Sequence, residues 1–338
     1  MKAAIMNEPF QIEIKEISRP EPGPKEVLVK MKVAGICGSD IHFYDGTHPY
    51  ARYPQVYGHE LSGVVEAVGS DVTKLKAGDR VVVEPAVPCG KCYPCRIGKY
   101  NCCVQIDMIG VVRQGGFAEF LTVPEDYAYL MPEGMSHEIG ALCEPFTIGA
   151  QIVSRANPRQ GSTVTILGMG PIGLTALILL KNLHDVTVFA VDVVPERLEQ
   201  AKYFGADQLI NPKETDTLAA VNSLTEGEGS NVVIECAGLK MTMEQSIQLV
   251  SPGGRIVIAG LTKNEVSFPG ILFTNKEVEI YGSRNNAGRF PEVIQFLNTH
   301  HEIANDFITR KMPFEDIAEA FQLAKGKPNE VVKIVLEF

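Results

Sequence analysis

The sequence predicts an α/β protein in which a β-rich domain comes before a doubly wound parallel sheet. Up to about residue 145, short apolar alternations are broken by Gly and Pro, as at residues 26–35, 61–69 and 79–85, a pattern typical of strands joined by turns. From about residue 162, strand patterns alternate with helix patterns, which favours a parallel sheet with crossover helices. The length of 338 residues also favours two domains over one.

The second half contains six strand candidates with helices between them. The apolar segment 172–183 and the segment that begins at Pro195 and stops near Gly205 are predicted helices, because Pro favours the first helical turn. The strand candidates are residues 163–168, 186–192, 207–211, 231–238, 254–260 and 277–283. Two more helices at 290–300 and 314–326 precede a final strand at 331–338, which we expect to return to the β-rich domain.

Composition and charge exclude several classes of function. The chain is 45% hydrophobic and 21% charged, and its formal net charge of −10 argues against a nucleic-acid partner. The longest apolar run, residues 172–180, is too short to cross a bilayer, and the first residues have no apolar segment of a signal peptide. We therefore expect a soluble, cytoplasmic protein with no membrane partner, in which thiols stay reduced.

Five of the eight cysteines stand in one stretch, "PCGKCYPCRIGKYNCC". Two-residue gaps separate Cys89, Cys92 and Cys95, and Cys103 follows after seven more residues. Four thiolates at such spacing can surround one tetrahedral zinc ion and leave no open position for a substrate. A redox pair would have no use for a third and a fourth cysteine. The pattern predicts a structural zinc, with Cys102 left out of the ligand set.

A glycine motif of the form GxGxxG, "LGMGPIGL", joins the first strand of the second half to its helix. Such glycines allow a tight turn, a close approach of a pyrophosphate to the backbone, and close packing of helix on strand. The helix N-terminus then faces the phosphates. The motif alone could be a chance glycine-rich turn, but its strand–turn–helix context predicts a Rossmann dinucleotide site. Its candidate cofactor-binding residues are Gly168, Gly170, Pro171, Ile172 and Gly173.

An acidic residue follows the second strand of this unit. Asp192 stands where a carboxylate can accept hydrogen bonds from both ribose hydroxyls of an adenosine. Because it would repel a 2′-phosphate, it favours NAD over NADP. Arg197, in the next helix, could instead attract that phosphate, although an ordinary surface arginine is the simpler interpretation.

Three segments of the first half contain residues suited to an open catalytic zinc site. They are "GICGSDIH" with Cys37, "GHELSGVVEAVG" with His59 and Glu60, and "GALCEPFTIGA" with Glu144. A cysteine, a histidine and a glutamate from three loops are ligands that catalytic zinc accepts. Each residue also has a structural alternative: a buried thiol, a core histidine, or a carboxylate that only makes hydrogen bonds.

Over essentially its whole length the chain resembles the zinc-dependent medium-chain alcohol dehydrogenases, in the sorbitol, threonine and hexonate branch. The segment "GHELSGVVEAVGSDV" keeps the zinc signature of that family, and the cysteine loop matches its structural zinc lobe. The resemblance implies a GroES-like catalytic domain at 1–146 with the zinc lobe at 88–104, a Rossmann domain at 147–284, and a return to the catalytic domain at 285–338. It also implies two zinc ions per chain and makes Cys37 and His59 ligands of the catalytic one.

The third ligand of the catalytic zinc is left open between two glutamates. In the resembling family a glutamate can stand at the position of Glu144, and Glu60 can also bind the metal. One thiolate, one neutral imidazole and one carboxylate leave Zn²⁺ formally neutral, whereas a second carboxylate would make the site negative and a poorer Lewis acid. We therefore expect one glutamate to bind at a time, while Cys143 points away.

The resemblance implies hydride transfer from a substrate alcohol to NAD, with Ser39 and His42 as a proton relay from the alcohol to solvent. It favours a polyol or a sugar acid as the small-molecule substrate, and the segment after the last strand resembles hexonate dehydrogenases in "GSRN". There Arg284 could bind a carboxylate, or could contact the cofactor or make a structural pair. The resemblance further implies a homodimer or homotetramer formed through the edge of the Rossmann sheet.

Other functions stay open at this point. A zinc-free quinone reductase of the same superfamily would lack Cys37, His59 and the cysteine lobe. L-Threonine or a simple secondary alcohol could be the substrate. A non-catalytic zinc- and nucleotide-binding protein would have no need of Ser39 and His42.

Overall fold

A computed structural model describes all residues, 1–338, in two compact units. One unit comprises residues 1–144 and 287–338, and the other comprises residues 145–286. The second unit is therefore an insertion in the chain of the first. None of the helices combines the length and the apolar character needed to cross a lipid bilayer.

Short strands dominate the first 144 residues. They are β1 (Lys2–Glu8), β2 (Gln11–Glu16), β3 (Glu26–Ile36), β4 (Glu60–Val68), β5 (Arg80–Val83), β6 (Ala86–Val87), β7 (Asp107–Met108), β8 (Phe120–Pro124) and β9 (Ala128–Leu130). Three helices accompany them: α1 (Gly38–Tyr44), α2 (Tyr93–Arg96) and α3 (His137–Ala156). The boundary between the two units falls inside α3.

The second unit is a six-stranded parallel sheet with intervening helices. Its strands are β10 (Thr163–Leu167), β11 (Thr187–Val191), β12 (Gln208–Ile210), β13 (Ser230–Glu235), β14 (Val250–Ile258) and β15 (Glu279–Gly282). Its helices are α4 (Pro171–Leu183), α5 (Pro195–Tyr203), α6 (Thr217–Leu224), α7 (Lys240–Leu249) and α8 (Gly270–Lys276). The strand order β12-β11-β10-β13-β14-β15 reverses direction at β10, which is the order of a Rossmann sheet. The predicted doubly wound fold is confirmed.

The last part of the chain completes the first unit. It contains α9 (Phe290–Thr299), α10 (His301–Phe307), β16 (Arg310–Pro313), α11 (Ile317–Gly326) and β17 (Ile334–Glu337). The seven-stranded sheet of this unit has the order β16-β17-β3-β4-β5-β9, and β8 pairs with another part of β3. The final strand thus lies beside β3, where Ile334 is opposite Ile36.

The registers of β3 with its two neighbours position the candidate metal centre. Strands β3 and β4 are antiparallel, with Gly35 opposite Glu60. The end of β3, the start of β4 and the start of β17 therefore meet at one place in the sheet. A buried apolar cluster that includes Val29, Leu61 and Leu336 packs this sheet.

Three local expectations from the sequence are wrong. Glu144 lies in the middle of the 20-residue helix α3, not in a loop. Ser39 and His42 lie on the short helix α1, also not in a loop. The tail contains an additional helix, α10, and an additional strand, β16.

Candidate metal centres and cofactor pocket

The segment between β6 and β7 gathers four cysteine side chains. The sulfur atoms of Cys89, Cys92, Cys95 and Cys103 all lie within 4.8 Å of one another, and all four are free thiols. The paired strands β6 and β7 close the base of this lobe. Four sulfur donors in such a cluster fit the closed tetrahedral coordination of a structural zinc ion.

Backbone N–H groups favour the thiolate form of Cys92 in this lobe, whereas burial raises the pKa of Cys95 to about 12. The N–H groups of Cys95 and Val104 lower the pKa of the Cys92 thiol to about 6. The neighbouring Cys102 is exposed and stands outside the group of four, as expected from its spacing.

A second cluster of metal-binding groups lies where β3 ends and β4 begins. Cys37 follows β3 and precedes α1, while His59 and Glu60 stand at the start of β4. Ligand atoms of Cys37, His59 and Glu60 all lie within 4.8 Å of one another. The antiparallel register explains this approach, since Gly35, two residues before Cys37, is opposite Glu60.

Glycine at position 35 is required by the Glu60 side chain. A Cβ atom on Gly35 would lie 2.1 Å from Oε2 of Glu60. Any larger residue would displace the carboxylate from the cluster.

Asp40 supports this cluster from the first turn of α1. Its side chain is fully buried, and Oδ2 accepts a hydrogen bond from the backbone N–H of Cys37 at 2.9 Å. Its Oδ1 lies 3.6 Å from Nδ1 of His59, and neither of these buried atoms has a hydrogen-bond partner.

Electrostatics at His59 indicate a place for a cation. Burial by itself lowers the pKa of His59, but the negative charges of Asp40 and Cys37 raise it well above its usual value. The cluster therefore favours a positive charge here, and its thiol, imidazole and carboxylate donors fit a zinc ion.

Lys333 also belongs to this centre, although no sequence motif pointed to it. Its Nζ lies 2.6 and 2.8 Å from the two carboxylate oxygens of Glu60 and 3.1 Å from the carbonyl oxygen of Ile36. The lysine side chain is 2% exposed and that of Glu60 is fully buried. The one available signal was a single lysine inside the apolar run "VVKIVL".

Glu144 lies close to the cluster without joining it. It is not part of the group formed by Cys37, His59 and Glu60. Burial raises the pKa of Glu144 to about 7, and the charges of His59, Glu60 and Lys333 act on it. The preceding Cys143 is fully buried and its sulfur lies 3.7 Å from the carbonyl oxygen of Ile139, so it stays out of the cluster.

Ser39 and His42 stand three residues apart on α1 and therefore share one helix face. Ser39 is half-buried, whereas His42 is exposed. The hydroxyl of Thr47 donates to Asp45 at 2.6 Å and lies 3.0 Å from Nδ1 of His42. Because that hydroxyl proton is committed to Asp45, Nδ1 of His42 is the donor and Nε2 is left to accept a proton.

The glycine motif of the second unit lines a cavity of about 430 Å³. Gly168 adopts a φ of +96°, and a Cβ atom on Gly173 would lie 2.0 Å from the carbonyl oxygen of Gly168. A Cβ atom on Gly170 would meet no protein atom within 4 Å. Open space at the N-terminus of α4 is what a bound pyrophosphate requires. Pro171 and Ile172 form the first turn of that helix.

The acidic residue and the arginine expected near the ribose both line the same cavity. Asp192 accepts hydrogen bonds from the N–H groups of Met169 at 2.8 Å and Val194 at 2.9 Å. Arg197 lies 3.8 Å from Asp192 and its side chain is 28% exposed. Arg197 is therefore placed where it could contact a cofactor, and its role there stays a prediction.

A second turn, which follows β13, forms another wall of this cavity. The buried carboxylate of Glu235 accepts hydrogen bonds from the N–H groups of Ala237 and Gly238 and from the hydroxyl of Thr242. From its sequence pattern this segment was predicted only to be a strand. The sequence feature that could have indicated this turn is the single glutamate in the apolar run "NVVIECAG".

Comparison with known families decides between the open alternatives. The family model described as "Alcohol dehydrogenase GroES-like domain" matches residues 23–133, and the one described as "Zinc-binding dehydrogenase" matches residues 171–299. Together these matches cover more than half of the chain. The chain belongs to the zinc-dependent medium-chain alcohol dehydrogenases.

Two relatives of this dehydrogenase have names that state a substrate. It is 35% identical to the sorbitol dehydrogenase of Bacillus subtilis, over 99% of this chain and 97% of the relative. It is 35% identical to the L-galactonate-5-dehydrogenase of Escherichia coli, over 100% of this chain and 99% of the relative.

A solved structure agrees with the fold of this dehydrogenase. An Escherichia coli CFT073 protein, described as the short chain alcohol dehydrogenase rspB and complexed with NADH, superposes with a TM-score of 0.94. It is 38% identical, and the match covers 100% of this chain and 99% of that one. The predicted family is confirmed by these matches, and the quinone-reductase and non-catalytic alternatives are excluded. The NADH in that structure agrees with the predicted NAD cofactor, and the two metal-binding clusters of this chain fit a structural and a catalytic zinc ion.

Proposed function

We propose that this dehydrogenase oxidises a secondary hydroxyl group of a polyol or a sugar acid to a ketone. The carbinol carbon gives a hydride to NAD⁺, forming NADH, and the hydroxyl group gives up a proton. The observation that carries the proposal is the cluster formed by the half-buried Cys37 and the buried His59 and Glu60, which offers three protein ligands and leaves a zinc position open for the substrate. The names of the sorbitol and L-galactonate relatives support the substrate class.

Each metal-binding group has a separate role in the proposal. We assign Cys37, His59 and Glu60 to the catalytic zinc, and the four-cysteine lobe to the structural zinc. Zinc, when bound, lowers the pKa of a hydroxyl group that reaches it. Glu144 stays outside the ligand group and holds the substrate hydroxyl or the water that enters beside it.

The proton leaves through side chains of α1. The Ser39 hydroxyl accepts the proton of the substrate, and His42 releases it to solvent, where its exposed ring is in contact with water. The acceptor atom on His42 is Nε2, since Nδ1 is engaged with Thr47.

Cofactor binding is assigned to the second unit. The turn formed by Gly168, Gly170 and Gly173 receives the pyrophosphate, and Asp192 receives the adenosine ribose. Asp192 gives the preference for NAD, because its charge opposes a 2′-phosphate. Arg197 beside it partly offsets that charge, so we expect measurable but weaker binding of NADP.

A substrate screen with metal analysis tests this function. Purified enzyme is offered NAD with polyols, hexonates, L-threonine and simple secondary alcohols, and NADH formation is followed by absorbance. Two zinc ions per chain and turnover of a polyol or a hexonate are expected. Turnover of L-threonine or simple alcohols alone would contradict the substrate class. If Arg284 recognises the carboxylate of a sugar acid, R284A should raise KM for hexonates and leave KM for polyols unchanged.

We further propose that the enzyme is a cytoplasmic homodimer or homotetramer. All eight cysteines are free thiols, as expected in a reducing compartment. Strand β15 stands at the edge of the Rossmann sheet with one side unpaired, and such an edge is a ready template for pairing with a second copy. A monomer in light scattering at micromolar concentration would contradict the assembly.

A further inference from the structure

The ammonium group of Lys333 is directed entirely at the catalytic cluster. Its three contacts, two to the Glu60 carboxylate and one to the Ile36 carbonyl, lie between 2.6 and 3.1 Å. An ammonium group has three protons, so these contacts use all of its donors. Lys333 is also the only lysine or arginine among the buried residues of the chain.

Stability does not explain a charged pair at this place. Removing two charges from water usually costs more free energy than their attraction returns, and well-packed apolar residues would be as stable or more so. The flanking residues Val332 and Ile334 are themselves apolar and buried. A lysine in this run therefore indicates a requirement of the site.

The balance of charge shows what that requirement is. Besides Cys37, the centre holds three buried carboxyl groups, those of Asp40, Glu60 and Glu144. A zinc ion with one thiolate and one carboxylate ligand is formally neutral, so the other acids would leave the centre negative. A negative centre holds its metal tightly but polarises a substrate oxygen weakly. Lys333 supplies a positive charge that moves the centre back towards neutrality.

We propose that Lys333 is a positioning residue that limits how strongly Glu60 donates to the catalytic zinc. A carboxylate that receives two hydrogen bonds from an ammonium group is a poorer metal ligand than a free one. The ammonium charge also opposes Zn²⁺ directly. The zinc is thus held more loosely than its ligands alone would hold it, and it retains more affinity for a substrate oxygen. This inference rests on the proposed function, because it requires zinc at this cluster.

The proposal and a purely structural role predict opposite effects on metal affinity. If Lys333 only held the fold together, its loss would loosen the cluster and weaken metal binding. If Lys333 limits donation by Glu60, its loss frees the carboxylate and tightens metal binding. The sign of the change therefore distinguishes the two.

The test uses the full chain with Lys333→Met, which keeps the length of the side chain and removes its charge. Zinc affinity of the catalytic site is measured by competition with a chelator, and the site is also loaded with Co²⁺ to record its visible absorption. We expect the zinc dissociation constant to fall about tenfold, a change of the size that removal of a partner of a metal ligand usually produces but of the opposite sign. The cobalt absorption should shift and kcat should fall about tenfold. Lys311→Met is the matched control, because Lys311 is an exposed strand lysine that pairs with Glu138, and it should change none of these.

Structural zinc content and NADH affinity report whether each variant is folded. A folded Lys333→Met enzyme with unchanged or weaker catalytic-site affinity would overturn the inference. If this variant fails to fold, Lys333→Gln replaces it, since it keeps a donor for Glu60 without the charge, and the same tightening is required. Failure of both variants to fold would assign Lys333 a structural role and also overturn the inference. Wild-type enzyme with a single zinc per chain would instead refute the proposed function.

Discussion

Replacing Gly170 with alanine should separate cofactor binding from folding. Gly170 has φ −70° and ψ −178°, a conformation that alanine adopts without strain. Its added Cβ would meet no protein atom within 4 Å. Alanine also restricts the unfolded chain, so we expect the free energy of unfolding to rise by about 0.4–1 kcal/mol.

The same methyl group should obstruct the cofactor. Gly170 lines the cavity at the start of α4, where the pyrophosphate needs close approach to the backbone. Overpacking of one methyl group typically costs about 1–3 kcal/mol. This corresponds to NADH binding that is weaker by a factor of about 5 to 150.

Two measurements on each variant check this prediction. NADH affinity is measured by fluorescence titration, and the free energy of unfolding by urea denaturation. Gly173→Ala is the comparison, since its Cβ would lie 2.0 Å from the Gly168 carbonyl oxygen and should destabilise the turn itself. Gly170→Ala with wild-type NADH affinity, or with stability as low as that of Gly173→Ala, would refute the reasoning.

Three further predictions concern the metal centres and pH. Cys92→Ser should remove one zinc ion per chain and lower the melting temperature while the other zinc stays; unchanged zinc content would contradict the four-cysteine lobe. Glu60→Ala should reduce kcat by more than the ~10–100-fold that is typical of losing a partner of a metal ligand. The loss of kcat in Glu144→Ala should stay within ~10–100-fold. Both variants should retain the structural zinc and the affinity for NADH. Equal losses in steady-state kinetics would mean that Glu144 is also a ligand. Burial and the charge of Arg80 lower the pKa of His137 from 6.5 to about 4. The folded protein therefore favours the neutral form of His137, and this preference contributes fully to the free energy of unfolding above pH 6.5. The contribution is lost as the pH falls through 4 and His137 becomes protonated in the folded state as well. His137→Gln should therefore flatten the dependence of the urea midpoint on pH between 6.5 and 4, and an unchanged slope would exclude this source.

The strands of the Rossmann sheet and its doubly wound class could be predicted from the sequence because each part of the pattern is local. Buried parallel strands are continuous apolar runs, and the glycine motif marks one strand–helix junction. Cys37 and His59 could likewise be found, since both stand beside glycines at strand ends.

Helix α3 was missed because its residues contradict helix propensity. It contains Gly140, Gly149 and Pro145, which in isolation indicate turns. Its buried face nevertheless repeats at helical spacing, with Ile139, Leu142 and Phe146 all buried. Tertiary packing overrides propensity here.

Lys333 was missed for a different reason. Its partner Glu60 is 273 positions away in the sequence, and the two meet only because β17 and β4 flank β3. No local pattern carries that information. The position of Arg197 beside Asp192 likewise depends on how α5 packs, and helix periodicity alone does not specify it.

The pairing of β17 with β3 has a consequence for the order in which the molecule forms. During synthesis the chain emerges from its N-terminal end, and domains fold as units. Residues 145–286 can complete their sheet while residues 33–36 of β3 still lack the strand β17, although β8 already pairs with residues 26–30. Glu60 therefore gains the counter-charge of Lys333 only when the C-terminal strand pairs with β3.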